Sequence, residues 1–433
     1  MTPLTAGVIG VGVLLVLLFS RMPIGFVMGL VGFAGFAYLA GFEGGLGVLR
    51  TVVYSTFADY GLSVIPLFIL MGSFCFYAGL SKDLYDMVHS WLGQFRGGLA
   101  MATVGACAGF AAISGSSLAT AATMGTVALP EMKRYNYDDR LATGAVAAGG
   151  TIGILIPPSV ILILYGVITE QSIGKLFLAG FIPGVLEAVF YMVTIYILCR
   201  SNPQMGPPGP RTGFIEKITS LKNTWIVLAL FVLVIGGIYL GVFSPTEAAG
   251  VGAFGAFIFG LARRRLGWKA FKDSLVGTGR TTAMIFVIIL GAMVLGYFLA
   301  ISRIPFVLAD YVGALAVNRY VILVLVLLVY LVLGCMMDSL AIMLLITPIF
   351  FPLIMSLGFN PIWFGILTTR MTEIGLITPP VGLNVYVIRG VAGDVPMGTI
   401  FRGIVPFLIA DIFEVALLIS VPQLSLFLPG FMK

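Results

Sequence analysis

The sequence predicts an all-α polytopic membrane protein made of two inverted-topology repeats, with about ten transmembrane crossings and two re-entrant helical hairpins. Composition is the first reason: 60% of residues are hydrophobic, 10% are charged and the mean hydropathy is +1.11, whereas a soluble domain holds roughly 25% charged residues. Internal duplication is the second. Ser-Ser-Leu-Ala at 116–119, Pro130 and Gly-Ile-Leu-Ile-Pro-Pro at 153–158 recur at an offset of 222 as Asp-Ser-Leu-Ala at 338–341, Pro352 and Gly-Leu-Ile-Thr-Pro-Pro at 375–380. The third reason is that most Lys and Arg fall in loops on one side of the membrane once the chain is threaded this way.

A span needs about 20 apolar residues, fewer when flanking groups snorkel. That rule gives crossings at 4–20, 23–41, 61–80, 141–168 and 176–199, then at 224–241, 245–262, 281–301, 362–388 and 401–421. No Lys or Arg precedes the first run, so it lacks the basic start of a cleaved signal peptide and is read as a retained span. Residues 1–200 form the first repeat, with scaffold spans within 4–80, a hairpin at 99–130 and a broken helix at 141–168. Residues 201–223, Pro/Gly-rich and then charged, are the linker. Residues 224–433 form the second repeat, with scaffold spans within 224–301, a hairpin at 320–352 and a broken helix at 362–388. Phe19-Ser20 and Phe243-Ser244 extend the match at an offset of 224. An odd number of crossings per half forces the second copy upside down.

The hairpins are apolar stretches with polar centres, Ser-Gly-Ser-Ser at 114–117 and Gly-Cys-Met-Met-Asp-Ser at 334–339. Split there, each gives half-helices of roughly 14 residues, about 21 Å long and too short to cross. Arg21, Lys82, Arg96, Lys133, Arg134, Arg140, Arg200, Arg211 and Arg263 to Arg265 then lie on the inner side, against Arg50, Lys175, Arg303, Arg319 and Lys433 outside. Both termini are expected outside, with the first hairpin entering from the cytoplasm and the second from the outer face. Residues 263–272, with Leu266, Trp268 and Phe271 among basic residues, and the related stretch 43–59 look like amphipathic arms lying in the membrane interface.

Irregular backbone at membrane depth survives only where protein or a polar cavity surrounds it. It is expected four times, at the two hairpin tips and at the Pro-Pro pairs 157/158 and 379/380, which break long helices. Free carbonyls beside Ser and Thr hydroxyls suit Na⁺, and half-helix N-termini attract a carboxylate. The first candidate Na⁺ site joins Ser114, Ser116 and Ser117 to the backbone at Gly153, Ile156 and Pro158. The second joins Gly334, Asp338 and Ser339 to Gly375, Thr378 and Pro380. A substrate would lie between the tips. Asp338, Arg370 and Glu373 are the ionisable residues read at membrane depth, and such residues are functional candidates by default. Arg370, Thr372 and Asn384 are the candidate substrate-binding side chains. Arg370 and Glu373 stand three apart, so a mutual ion pair is the competing reading.

Other chemistries find little material. Cys75, Cys107, Cys199 and Cys335 have no CxxC spacing, so neither a disulfide framework nor a zinc site is indicated. The glycines at 10 and 12 follow no strand and carry no Lys-Ser/Thr, so ATP use is not expected. No catalytic His/Ser/Asp set exists and no enzyme is read. A net charge of +6 in a membrane chain reflects loop topology rather than nucleic-acid binding. His89, the single histidine, is expected in solvated loop, which leaves no proton relay and favours Na⁺ coupling.

Ser114-Gly-Ser-Ser117, Gly149-Gly-Thr-Ile-Gly-Ile-Leu-Ile-Pro-Pro-Ser159 and Thr378-Pro-Pro-Val-Gly-Leu-Asn384 resemble the large membrane subunit of tripartite ATP-independent periplasmic (TRAP) transporters, and the likeness covers essentially the whole chain. The resemblance implies an elevator-type, Na⁺-coupled secondary transporter of the bacterial inner membrane, its hairpins and broken helices moving as a transport domain against a lipid-embedded scaffold. It implies two or more Na⁺ ions, an organic acid substrate, a periplasmic substrate-binding protein and a small four-helix membrane subunit. Because the sequence opens directly on a large-subunit span, that small subunit is expected as a separate chain. A stand-alone Na⁺- or H⁺-coupled carboxylate carrier, needing no binding protein, is the alternative, and a channel is the more distant one.

Overall fold

A computed structural model describes residues 1–20, 22–209, 212–314 and 317–432. Arg21, Arg211 and Lys433, three of the loop charges named above, lie outside the described residues. The helices are α1 (Pro3–Phe19), α2 (Ile24–Ala40), α3 (Phe42–Ala58), α4 (Val64–Tyr77), α5 (Leu80–Leu92), α6 (Gly98–Ser114), α7 (Ser117–Arg134), α8 (Asp139–Thr151), α9 (Val160–Thr169) and α10 (Ile173–Ser201). They continue as α11 (Phe214–Tyr239), α12 (Pro245–Ala262), α13 (Trp268–Ser302), α14 (Ile304–Ala314), α15 (Arg319–Gly334), α16 (Ser339–Ser356), α17 (Pro361–Ile377), α18 (Leu383–Ala392) and α19 (Met397–Ser420).

The interruptions fall where Gly, Pro and Ser dictate. α6 ends at Ser114 and α7 restarts at Ser117, with Gly115 between them at φ +57°, a left-handed conformation that costs a side-chain-bearing residue more than glycine. α15 and α16 are separated by residues 335–338, and Asp338 caps α16 by accepting from the Leu340 amide at 3.2 Å. α8 and α9 part around Pro157 and Pro158, and α17 and α18 around Pro379 and Pro380; both Pro-Pro bonds are cis. Ser116 and Ser159 cap α7 and α9 with their hydroxyls, accepting from the amides of Ala119 and Leu162.

Several boundaries differ from the sequence reading. The hairpin arms α6, α7, α15 and α16 hold 17, 18, 16 and 18 residues, more than the roughly 14 expected, so each is about 24–27 Å long. Among the described residues, six helical stretches are long and apolar enough to cross a membrane by length and composition, and α16 is one of them while α1 and α2 fall short. α11 begins at Phe214, inside the stretch read as linker, because Glu216 caps the Gly213 amide at 3.2 Å and Phe214, Ile215, Ile218 and Leu221 continue a helical apolar pattern. Residues 81–92, part of the loop 81–96 expected around His89, are helical because Leu80, Leu84 and Tyr85 bury one face. His89 is thus half-buried against the Tyr85 ring, 6.0 Å between centroids, and burial lowers its pKa despite Asp86. The basic stretch 263–272 makes no separate arm. From Trp268 it runs straight into α13, whose 35 residues span about 52 Å, while Asp83 of α5 pairs with Arg263 and, at 3.5 Å, with Arg265. Residues 42–58 do form a separate helix, α3, which packs on α2 through Phe33 and Phe42 and on α13 through Phe57 and Phe286.

Packing between the halves is reciprocal. α2 lies along α13 as α12 lies along α4, and α16 meets α9 as α7 meets α18; by the sequence repeat these are matching pairs. The α2–α13 seam is tight at Gly32, where a Cβ would come within 2.6 Å of the Leu295 amide nitrogen. Replacing Gly32 by Leu should therefore lower the stability of the detergent-purified protein by about 1–3 kcal/mol through overpacking. Gly12→Leu is the control, since nothing lies within 4 Å of a Cβ there. Equal melting temperatures for the two variants would show that the seam tolerates expansion.

Candidate functional site

Both hairpin tips open on one cavity of about 790 Å³. Ser114 to Ala119 and Asp338 to Ala341 line it from the two halves, Ile154, Val160 and Ile161 from the first broken helix, and α2 and α13 close it through Ile24, Gly25, Met284 and Ile288. The N-termini of α7 and α16 are both at its wall, so two positive dipole ends converge there, each with helical amides beyond the one that Ser116 or Asp338 caps. A cavity of this size suits a small organic molecule.

The residues assigned to the first ion site come together. Ser114 Oγ lies 2.7 Å from Thr120 Oγ1, and a Cβ on Gly153 would stand 3.1 Å from the same hydroxyl and 3.6 Å from the Ser116 carbonyl oxygen. A Cβ on Gly115 would stand 3.1 Å from the Pro158 carbonyl oxygen, so the tip rests against the Pro-Pro break. Ile156 sits in the same break and packs against Gly184 of α10. In the second half, Gly334 and Gly375 meet backbone to backbone: a Cβ on Gly334 would be 3.0 Å from Gly375 Cα and 3.0 Å from the Thr372 carbonyl oxygen. The Gly382 amide donates to the Cys335 carbonyl at 3.3 Å, tying tip to break, and Thr378 Oγ1 donates to the Ile374 carbonyl at 2.6 Å. The halves differ in one respect. Pro157 and Pro158 are buried, whereas Pro379 and Pro380 are exposed and Thr378 is half-buried. Both tips thus offer hydroxyl and carbonyl oxygens at the ends of broken helices, the donor set that a hard monovalent cation takes.

One carboxylate joins the two tips. Glu373 of α17 is fully buried; Ser117 donates to its Oε2, and Ser339 donates to its Oε1 at 2.8 Å. Ser117 and Ser339 are the matching serines of the repeat. The expected alternative of an Arg370–Glu373 pair is not what forms. Arg370, also fully buried, turns away from the tips to Glu187 of α10 at 2.9 Å and to Asp411 and Glu414 of α19 at 2.5 and 2.9 Å, with the Tyr191 hydroxyl at 3.3 Å. Thr151 at the end of α8 donates to Glu187 at 2.8 Å. Glu187, Asp411 and Glu414 are thus organised around the guanidinium, and among the described residues no group of three His, Cys, Asp or Glu is placed to hold a metal ion. The other two candidate substrate contacts also lie off the cavity wall. Thr372 Oγ1 donates to the Thr369 carbonyl at 2.7 Å, and Asn384 Nδ2 to the Ala147 carbonyl at 3.3 Å, linking α18 to α8.

Sequence reasoning passed over Glu187, Asp411 and Glu414, although a signal existed. All three stand within runs 176–199 and 401–421, where an ionisable residue is itself a flag, and Glu187 and Asp411 match at the offset of 224 that relates Phe19 to Phe243. The four cysteines are free and buried.

A family model described as "Tripartite ATP-independent periplasmic transporter, DctM component" matches residues 11–424. A C4-dicarboxylate TRAP transporter large permease protein of Pseudomonas aeruginosa is 40% identical over 385 residues, covering 89% of this chain and 90% of its own. A sialic acid TRAP transporter large permease protein of Vibrio cholerae is 36% identical over 414 residues, covering 95% and 96%. Among solved structures, the YdaH transporter of Alcanivorax borkumensis superposes with a TM-score of 0.70 over 94% of this chain and 97% of its own, at 15% identity, a likeness of fold alone.

The Arg370 cluster yields a stability prediction. Arg370→Met leaves three buried carboxylates without a counter-charge and should destabilise the protein by about 3–5 kcal/mol, because an uncompensated buried charge keeps its desolvation cost. Arg370→Lys, lacking the planar fork that faces several carboxylates at once, should fall between Met and wild type. Melting temperatures in detergent check this; no loss in Arg370→Met would rule out a bracing role.

Proposed function

The chain belongs to the DctM component family of tripartite ATP-independent periplasmic transporters, and from that premise we propose that it is the permease through which a Na⁺ gradient drives import of an organic acid across the bacterial inner membrane. A periplasmic substrate-binding protein delivers the acid, and a small membrane subunit accompanies the permease. Relatives are named for C4-dicarboxylates and for sialic acid, which share a carboxylate, and a carboxylate is the group that two convergent helix N-termini favour. The observation that carries this reading is the single cavity onto which both tips open.

In this reading Na⁺ binds at Ser114, Ser116, Ser117, Gly153, Ile156 and Pro158 in one half and at Gly334, Asp338, Ser339, Gly375, Thr378 and Pro380 in the other. Bound Na⁺ shapes the tips, and the substrate carboxylate is held between them. The reciprocal packing of α2–α13 with α4–α12 supports inverted repeats. Re-entrance draws support from Glu373. Hairpins that enter from opposite faces and cross fully would leave their tips a membrane thickness apart, about 30 Å, yet Ser117 and Ser339 reach one carboxylate. Because α2 and α13 wall the cavity from outside the hairpins, displacing hairpins and broken helices along that pair carries the cavity with them, which is an elevator movement. The buried first break and exposed second break fit one of the two exchangeable conformations.

The test is uptake into vesicles holding the permease and small subunit, with and without a binding protein, using labelled succinate and sialic acid. Uptake should require the binding protein and an inward Na⁺ gradient. Ser116→Ala or Gly375→Val should abolish it while the subunits still co-purify. Equal uptake in choline, or normal uptake by both variants, would overturn the assignment.

A further inference from the structure

We infer that Glu373 is a positioning residue that couples the two Na⁺ sites, by orienting one serine hydroxyl in each hairpin tip from a single carboxylate. This rests on the reading of the tips as Na⁺ sites.

The geometry is specific. Ser117 and Ser339 occupy the same place in the two halves, and each donates to a different oxygen of Glu373. A hydroxyl has one proton and two lone pairs. A cation needs the lone pairs, so a serine that ligates Na⁺ must send its proton elsewhere. Glu373 receives both protons and leaves both Oγ atoms able to face a cation at their own tip. Its neighbour Arg370 does not compete, since its guanidinium is held by Glu187, Asp411 and Glu414. The backbone contact of Gly334 with Gly375, two residues along α17, fixes the carboxylate relative to the second tip.

The arrangement is also one-sided. The position matching Glu373 in the first half is Thr151, which donates to Glu187 instead. A single strut therefore serves both tips. A cation that draws Ser117 into place settles one oxygen of the carboxylate and thereby the oxygen that holds Ser339, so filling one site prepares the other. Reciprocity of coupling requires the same effect in the opposite direction.

The experiment measures Na⁺ alone, by ²²Na⁺ binding to the full chain purified with its small subunit, with choline holding ionic strength constant. Wild type should bind cooperatively, with a Hill coefficient above 1. Glu373→Ala should raise half-saturation at least about tenfold and bring the coefficient to 1, within the range typical of coupled sites. Glu373→Asp, which keeps two acceptor oxygens, should recover more than Glu373→Gln, which keeps one. A purely structural role would instead lower the melting temperature and leave the shape of the binding curve unchanged in the folded fraction. Ser117→Ala and Ser339→Ala, singly and together, supply a second route independent of any Glu373 variant: their effects on half-saturation should be non-additive. Additive serine effects, a wild-type coefficient of 1, or a Glu373→Gln curve matching wild type would overturn the coupling and leave Na⁺ binding itself standing. A wild type that binds no Na⁺ would remove the functional reading first, and this inference with it.

Discussion

A polar group at the centre of a bilayer has no water to turn to, and the protein must supply every partner it needs. That constraint organises this molecule. Glu373 is satisfied by one serine from each half, and Arg370 by carboxylates from α10 and α19. The two residues are one helical turn apart on α17, yet they serve different ends. One joins the hairpin tips to each other, and the other locks α17 to the helices behind it. α17 is buried along nearly its whole length because it is the member through which both networks pass.

The same constraint explains where the chain can afford to be irregular. Each broken helix exposes amides and carbonyls, and each break is set against a hairpin tip whose own backbone is also open. Gly115 against the Pro158 carbonyl and Gly334 against Gly375 are the contact points. Side chains larger than hydrogen at these positions would push tip and break apart. The space kept free by α2 and α13 on the other side becomes the cavity.

Much of this was legible in the sequence because the signals are local. Ser-Gly-Ser-Ser and the Pro-Pro pairs break helices wherever they occur, and their duplication at a fixed offset marked which breaks belong together. The helical nature of residues 81–92 and 214–223 was missed because short charged stretches mask an apolar face that shows only when Leu80, Leu84 and Tyr85, or Phe214, Ile218 and Leu221, are read at helical spacing. The hairpin arms are longer than expected mainly at their outer ends: Pro130 and Pro352, which mark the ends of the hairpins in the sequence, sit inside α7 and α16, and these helices run on to Arg134 and Ser356. Pairing of the buried charges was not legible at all. Arg370 and Glu373 look like partners by proximity, but Arg370 is met by Glu187, distant in the chain, and a helix three turns deep in protein presents successive residues to different neighbours. Only the folded arrangement decides which.

The linker adds a mechanical boundary. Residues 202–213 join α10 to α11, and the described stretch 202–209 is folded back: the Gly97 amide donates to the Gly206 carbonyl and the Gly209 amide to the Gly93 carbonyl, both at 2.8 Å, while the Asp138 amide donates to the Met205 carbonyl at 3.0 Å. Fully extended, such a segment reaches about 40 Å. Stowed beside the foot of the first hairpin, where the Thr212 hydroxyl also donates to the Ser90 carbonyl, it is a coiled leash, with slack released as such bonds let go. Its contour length caps how far apart the ends of α10 and α11 can ever travel.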